Sequence, residues 1–411
     1  METITNLFME VTMISVGIDV SKEKSTVCML KPYGEVVSRP FEINHVDKEL
    51  GELSNMLLRF DDEVKVIMEA TGIYHLPVLT YLQGQGIFVA VINPFEMKEY
   101  RCQGLRKVKT DKQDSIMISN YGIDHWFHLK NYEIVTGVYE ELKLLGRQYR
   151  HYMGMRIEST QELTHLLDYT MPGIKSLLKG WNERSGKDKL SDFAEKYWHY
   201  DNITRTSEKQ FINSYIKWSE KKGYQQSQDK AAKIYALAKE GIPTLSADIQ
   251  SVKMLLLEAV RVLREVDNTL IKILSQMKML AKMLPEYSVV RAMGGVGDVL
   301  TVKLIAEIGD VRRFHNGKAL VAHAGIDAPP YQSGQFIGSQ RKISKRGSAT
   351  LRKIGYETMR CLKTHKAPAD DAVYNFIIKK EQEGKAKRSA KIAGLNKFLR
   401  IYYARVMEVY K

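Results

Sequence analysis

The stretch Met13–Lys22 reads MISVGIDVSK. It is a short apolar run, rich in β-branched side chains, that places Asp19 at its C-terminal end. Such a run predicts a buried strand that delivers one carboxylate to the edge of a sheet. Ser25–Leu30 and Val36–Ile43 flank the turn Pro32-Tyr33-Gly34, which predicts a hairpin. His45–Phe60 has helical spacing. Val64–Met68 predicts a second buried strand, followed by Glu69-Ala70-Thr71-Gly72. A helix is expected over Tyr74–Gln83, a strand over Ile87–Ile92 closed by Asn93-Pro94, and a helix over Asp111–Tyr121. The order βββαβαβα specifies an α/β domain whose central sheet joins a meander to parallel strands.

Four carboxylates stand out in this domain. Asp19 and Glu69 end strands, and Asp111 and Asp114 are three apart in VKTDKQDS, on one face of a helix. Strand ends in open α/β sheets converge on a common edge. Hard carboxylate oxygens with few nitrogen or sulfur ligands nearby suit Mg²⁺ or Mn²⁺. Two such ions can clamp the attacking and leaving oxygens of a phosphodiester. Each residue alone also has a structural explanation: Asp19 could cap the Ser21 turn, Glu69 the next helix, and the Asp111/Asp114 pair suits a helix N-terminus. The functional reading rests on their joint placement.

The 411 residues exceed one ordinary domain. The expected division is an α/β domain over 1–130, a helical and coiled-coil middle over 131–285 with an insertion at about 180–245, and a mainly helical C-terminal domain over 286–411. Val135 to about Leu178 reads as strongly helical. Residues 180–245 are polar and dotted with aromatics. From Val252 to Leu284 ten apolar residues are spaced alternately four and three apart: Val252, Leu256, Ala259, Leu263, Val266, Leu270, Ile273, Met277, Leu280 and Leu284. That is a heptad seam about 50 Å long at 1.5 Å per residue. It fits pairing with a second copy and pairing with the Val135–Leu178 helix equally well. Val289–Gly309 predicts two apolar helices broken at Gly294-Gly295-Val296-Gly297, a helix-hairpin-helix-like unit. The amides at Gly295 and Gly297 could receive a phosphate, although glycine-rich helix turns also serve packing alone.

Charge is distributed unevenly. The chain holds 62 Lys+Arg against 48 Asp+Glu, a net +14, and residues 286–411 hold 24 basic and 11 acidic residues, a net +13. The asymmetry points to a polyanion partner rather than to general solubility. Arg341, Lys342, Lys345, Arg346, Arg352 and Lys353 lie in a stretch with no acid between Ala328 and Tyr356. Clustered cations of this kind gain affinity for phosphates through counterion release. No apolar run approaches the ~20 residues of a membrane span. Glu2 and Glu10 interrupt any secretory signal, and Met13 offers a second start. Three widely spaced cysteines exclude a disulfide framework and suit a reducing cytoplasm.

The acidic arrangement resembles the ribonuclease H-like nucleases of the RuvC type. GIDVSK at Gly17–Lys22, EATG at Glu69–Gly72, TDKQDS at Thr110–Ser115, HAGIDAPPYQSG at His323–Gly334 and ISKRGSATLR at Ile343–Arg352 narrow it. Together they resemble the DEDD-type transposases of insertion-sequence family one-ten, a group related to the pilin-gene invertase. The resemblance implies an α/β ribonuclease H-like (RuvC-like) N-terminal domain with a divalent-metal tetrad of Asp19, Glu69, Asp111 and Asp114. It also implies a serine nucleophile, Ser333, forming a 5′-phosphoserine DNA intermediate. Composition does not choose Ser333, since Ser339, Ser344 and Ser348 lie in the same basic stretch. Implied partners are double-stranded target and donor DNA, a noncoding bridge RNA, and further copies of the chain in a dimer or tetramer. The implied location is the cytoplasm of a bacterium or archaeon, beside the nucleoid. Three other readings compete. One is a junction resolvase-like endonuclease using metal-activated water. Another is a sugar-kinase or actin-like ATPase, for which no second phosphate loop is found. The third is a noncatalytic DNA-binding scaffold.

Overall fold

Strand β1 (Met13–Val20) is central. It pairs antiparallel with β2 (Lys24–Leu30), which pairs antiparallel with β3 (Val36–Asn44). On its other side β1 runs parallel to β4 (Glu63–Glu69), which runs parallel to β5 (Val89–Ile92). The strand order is β3-β2-β1-β4-β5, the mixed meander-plus-parallel sheet the sequence predicts. Between strands lie α1 (Asp47–Leu57) and α2 (His75–Gly84); α3 (Pro94–Arg101) and α4 (Asp111–Asp124) follow β5. Ile14, Val16, Ile18, Val66 and Met68 are fully buried among residues of α1 and α2. The computed structural model describes residues 12–102, 110–132, 137–178, 180–183, 185–328, 332–333, 336–337, 342–365 and 371–411.

Helix α3 departs from expectation. Asn93-Pro94 reads as the close of a strand, but here it opens a helix. The Asn93 side chain accepts a bond from the Phe95 N–H at 2.9 Å, and Pro94 occupies the first helical position. Both are ordinary helix-start devices.

The chain divides into two compact units, Met1–Val135 and Thr136–Lys411. The second contains α5 (Val138–Thr170), the hairpin β6 (Trp181–Asn182) and β7 (Lys187–Asp188), and α6 (Lys189–Tyr197). Helices α7 (Asp201–Thr204), α8 (Glu208–Lys221), α9 (Gln228–Glu240) and α10 (Gln250–Ala281) follow. Next come α11 (Tyr287–Arg291), α12 (Asp298–Ile308), α13 (Gly317–His323), and the two-residue strands β8 (Gln332–Ser333) and β9 (Phe336–Ile337). The unit closes with α14 (Ala349–His365), α15 (Asp371–Gln382) and α16 (Lys387–Val409).

The heptad seam finds its partner inside the chain, because α10 packs along α5. Its buried face is also wider than a two-stranded seam. Val260, Leu274 and Ala281 are buried, whereas Ala259, Ile273 and Leu284 at heptad positions are only half-buried. A broad stripe of this kind belongs to a helix covered by several neighbours, here α5, α6 and α12. At mid-length a buried Arg156 on α5 donates to Asp267 on α10 and to Asp188 on β7, each at 2.6 Å, and lies 4.6 Å over the Trp181 ring. One guanidinium thus fastens the inserted segment to both long helices.

The insertion has its own aromatic core. Phe193, Phe211 and Tyr215 are buried beside Tyr197 and Trp218. Lys189 lies 4.9 Å from the Tyr215 ring centre and 5.2 Å from that of Tyr224, and burial pulls its ammonium down to about 8. The aromatic faces offset part of that burial.

Candidate metal centre and nucleic-acid surface

The acidic residues owe their positions to main-chain contact between β1 and α4. Ser15 Oγ donates to the Ser119 carbonyl at 2.7 Å, and Ser119 Oγ donates to the Ser15 carbonyl at 2.6 Å. A Cβ on Gly17 would lie 2.2 Å from the Ser115 carbonyl oxygen, and one on Gly122 2.2 Å from Ser15 Oγ. The glycine of GIDVSK is therefore a packing residue, not a phosphate-contacting turn. Ile18 registers with Met68, so Asp19 and Glu69 leave the sheet side by side. Thr110 caps α4 by accepting from the Gln113 N–H at 3.2 Å, which places Asp111 and Asp114 in the first turn.

The four carboxylates are electrostatically one group. The Asp19 carboxyl is pushed up to about 6, first by burial and then by the charges of Asp114 and Asp111, with Glu69 adding a smaller push. Arg101, at the end of α3, opposes this shift. Its Nη2 donates to Glu69 Oε2 at 2.8 Å, and its Nε lies 3.7 Å from Asp114 Oδ1. That Nε is buried with no hydrogen-bond partner among the described residues. Sequence reading missed Arg101 because it missed α3; the Asn93-Pro94 helix start was the available signal.

This donor set fits a divalent cation. It consists of hard oxygens, and burial first, then the charges of its neighbours, holds the Asp19 carboxyl up at about 6. Among the described residues no three of these groups already converge as a coordination shell. The Arg101 guanidinium supplies the positive charge against Glu69 and Asp114.

A pH effect follows from Asp19. Its folded pKa is raised, so its stabilising contribution is full below the ordinary value of 3.8 and is lost as pH rises through about 6. In chelator, the melting temperature of the wild type should fall between pH 5 and pH 7 relative to that of Asp19→Asn. Added Mn²⁺ should recover the loss in the wild type only. Parallel curves for the two proteins in chelator would remove the coupling.

The C-terminal candidates divide. Gly295 has φ +75°, and a Cβ there would lie 2.6 Å from the Leu362 backbone nitrogen in α14, so close packing already requires glycine. Gly297 precedes α12, whose first residue, Asp298, is paired with Arg291. Arg352 donates to the carbonyls of Ala324 at 2.9 Å and Gly347 at 3.2 Å, bracing the backbone. Lys342, Lys345, Arg346 and Lys353 are exposed. Arg341 lies outside the described residues.

The serines divide too. Ser344 Oγ donates to Asp327, and Ser348 Oγ donates to Glu307 while accepting the Leu351 N–H at 2.9 Å, which caps α14. Ser339 lies outside the described residues. Ser333 is described by its backbone, paired with Phe336 across β8 and β9. His323, upstream of it, is driven down to about 4 by burial and by the cations Arg313 and Lys143.

Comparison with known proteins agrees with this geometry. A transposase family model of the DEDD type, named for IS110, matches residues 16–172. A second, the Transposase IS116/IS110/IS902 family, matches residues 287–375. The pilin gene-inverting proteins of Moraxella bovis and Moraxella lacunata are each 31% identical over 117 residues, 28% of this chain and 35% of theirs. The chain thus aligns with about a third of the length of these curated relatives. Two matched segments in order, one carrying all four carboxylates and the other Ser333 and the basic stretch, place this chain in the IS110 family of transposases.

Proposed function

We propose that this chain cuts and rejoins DNA in the transposition of an insertion sequence, with Ser333 as the nucleophile and Asp19, Glu69, Asp111 and Asp114 as the metal-holding tetrad. The observation that carries the reading is the placement of Asp19 and Glu69 at neighbouring strand ends, with the first-turn acids of α4 close enough that their charges add to burial in holding the Asp19 carboxyl at about 6. When bound, Mg²⁺ or Mn²⁺ would polarise the scissile phosphate and favour ionisation of an attacking alcohol. A serine hydroxyl is a poor nucleophile unaided. Ser333 Oγ attacks phosphorus and loses its proton, and the bond to the 3′ oxygen breaks. That oxygen leaves as a hydroxyl, and DNA stays attached through a 5′-phosphoserine. Rejoining reverses the step with the 3′-hydroxyl of the other duplex. Lys342, Lys345, Arg346 and Lys353, with Arg341, balance strand phosphates. Ser344 and Ser348 are committed to carboxylate partners, which supports Ser333 among the four serines.

Two duplexes exchanged means four strands cut, so the reading includes assembly of several copies of the chain. It also includes a structured noncoding RNA that pairs with target and donor DNA, since a basic surface that reads backbone leaves sequence choice to base pairing. RNase treatment that leaves activity intact would remove that partner.

The test is incubation with DNA carrying the element junction, then recovery of protein-linked DNA and mapping of the attached peptide. Wild type should give an adduct at Ser333. Ser333→Ala should give none, with a recombination loss of at least roughly a thousandfold and duplex binding retained. An adduct from Ser333→Ala would assign another residue. Free 5′-phosphate ends without any adduct would favour the water-using endonuclease.

A further inference from the structure

A second basic feature lies away from the glycine turn. Helices α13, α15 and α16, with residues 326–328 and 342–345, line an open cleft of about 1100 Å³. Six of its lining cations, Lys318, Lys342, Lys345, Lys385, Arg388 and Arg400, have no ion pair among the described residues. Asp327, the acid among the described lining residues, is already engaged by Ser344. The floor is apolar, formed by Val321, Ile326, Ile392 and Ala393. Phe376 borders it, with the ammoniums of Lys380 and Lys397 at 5.5 Å and 5.2 Å from its ring centre.

Unpaired cations crowded on one surface repel one another, so the arrangement costs free energy until an anion arrives. Arg388 and Arg400 stand on one helix about 18 Å apart at 1.5 Å per residue. That reach exceeds a small phosphate metabolite and suits a polymer. The floor discriminates further. A duplex presents phosphate and sugar outward and gains nothing from an apolar floor, whereas a single strand offers unpaired base faces to it and phosphates to the rim.

We infer that this cleft is a binding site for a single-stranded segment of nucleic acid, with Lys385, Arg388 and Arg400 on its phosphates and Ile392 beneath its bases. The inference rests on the transposase reading only for the kind of polymer. The cleft shares Lys342 and Lys345 with the strand contacts proposed above and adds Lys385, Arg388 and Arg400 to them, and its test needs no catalysis.

The experiment measures binding of a short oligothymidylate and of a duplex of equal length across a salt series. The proteins are the full chain, the triple variant Lys385→Gln/Arg388→Gln/Arg400→Gln, and Ile392→Ser. All three cations are exposed, so the fold should persist. The triple variant should bind the single strand at least roughly tenfold more weakly, with a log–log salt slope smaller by about 2. Its duplex affinity should change less than about twofold. Ile392→Ser should weaken single-strand binding without changing the slope. Unchanged single-strand binding in the triple variant, or equal losses for both probes, would overturn the inference. So would displacement of the oligothymidylate by polyglutamate of matched charge. If DNA cleavage fails while this binding pattern holds, the catalytic reading falls and the cleft assignment stands.

Discussion

Asp114→Asn should abolish strand cleavage, by on the order of a thousandfold or more, the scale on which removal of one electrostatic element of a transition state is felt. The substitution keeps shape and removes charge. Asp114 is the buried member of the α4 pair and pushes the Asp19 carboxyl upward more than any other charge does. Neutralising it should therefore release Asp19 toward an ordinary carboxylate value while depriving the proposed cation site of a donor. Arg101 keeps its 2.8 Å bond to Glu69, so the local fold has no reason to open. Two readouts separate chemistry from structure: turnover of junction DNA, and the circular dichroism melt. Full cleavage by Asp114→Asn would leave the carboxylates as a structural cluster and assign the chemistry to groups elsewhere in the chain.

The second large effect is on folding. Gly17→Ala should destabilise the N-terminal unit by about 3 kcal/mol, the upper range for overpacking. In a unit of this size that lowers its melting temperature by roughly 15 °C. Gly17 needs no positive φ, so the penalty is steric. The added carbon would fall 2.2 Å from a carbonyl oxygen and 2.3 Å from the Ser119 amide nitrogen, both main-chain atoms of α4. Neither can rotate aside. Gly34→Ala is a contrasting control: its Cβ would meet nothing within 4 Å, and its φ of +81° imposes only a local backbone cost. A Gly17→Ala protein that melts like wild type would mean that β1 and α4 slide freely, contrary to the Ser15–Ser119 exchange.

The sheet, and the places of Asp19 and Glu69 at its strand ends, were legible because they depend on local signals. Short β-branched runs fix strands, and a carboxylate at a strand end goes where the strand goes. Arg101 was hidden because Asn-Pro closes one element and opens the next with equal ease. The glycine at 295 was ambiguous for a related reason: a phosphate and a packed helix both require a missing side chain, and only the position of Leu362 shows the packing demand. The α10 stripe specified that an apolar face exists but not what covers it. The insertion resisted reading because Lys189 and Trp218 owe their places to partners distant in sequence, in a core assembled from α6, α8 and α9.

At Gly17 and Gly122 two side chains are absent, and Ser15 and Ser119 are bonded beside them. Strand and helix touch there with no slack. The spacing of Asp19 and Asp114 is inherited from that seam, as a dimension of the scaffold rather than a property of any loop. Surface segments around it are free to lengthen, shorten or change character through evolution without detuning the chemistry they surround.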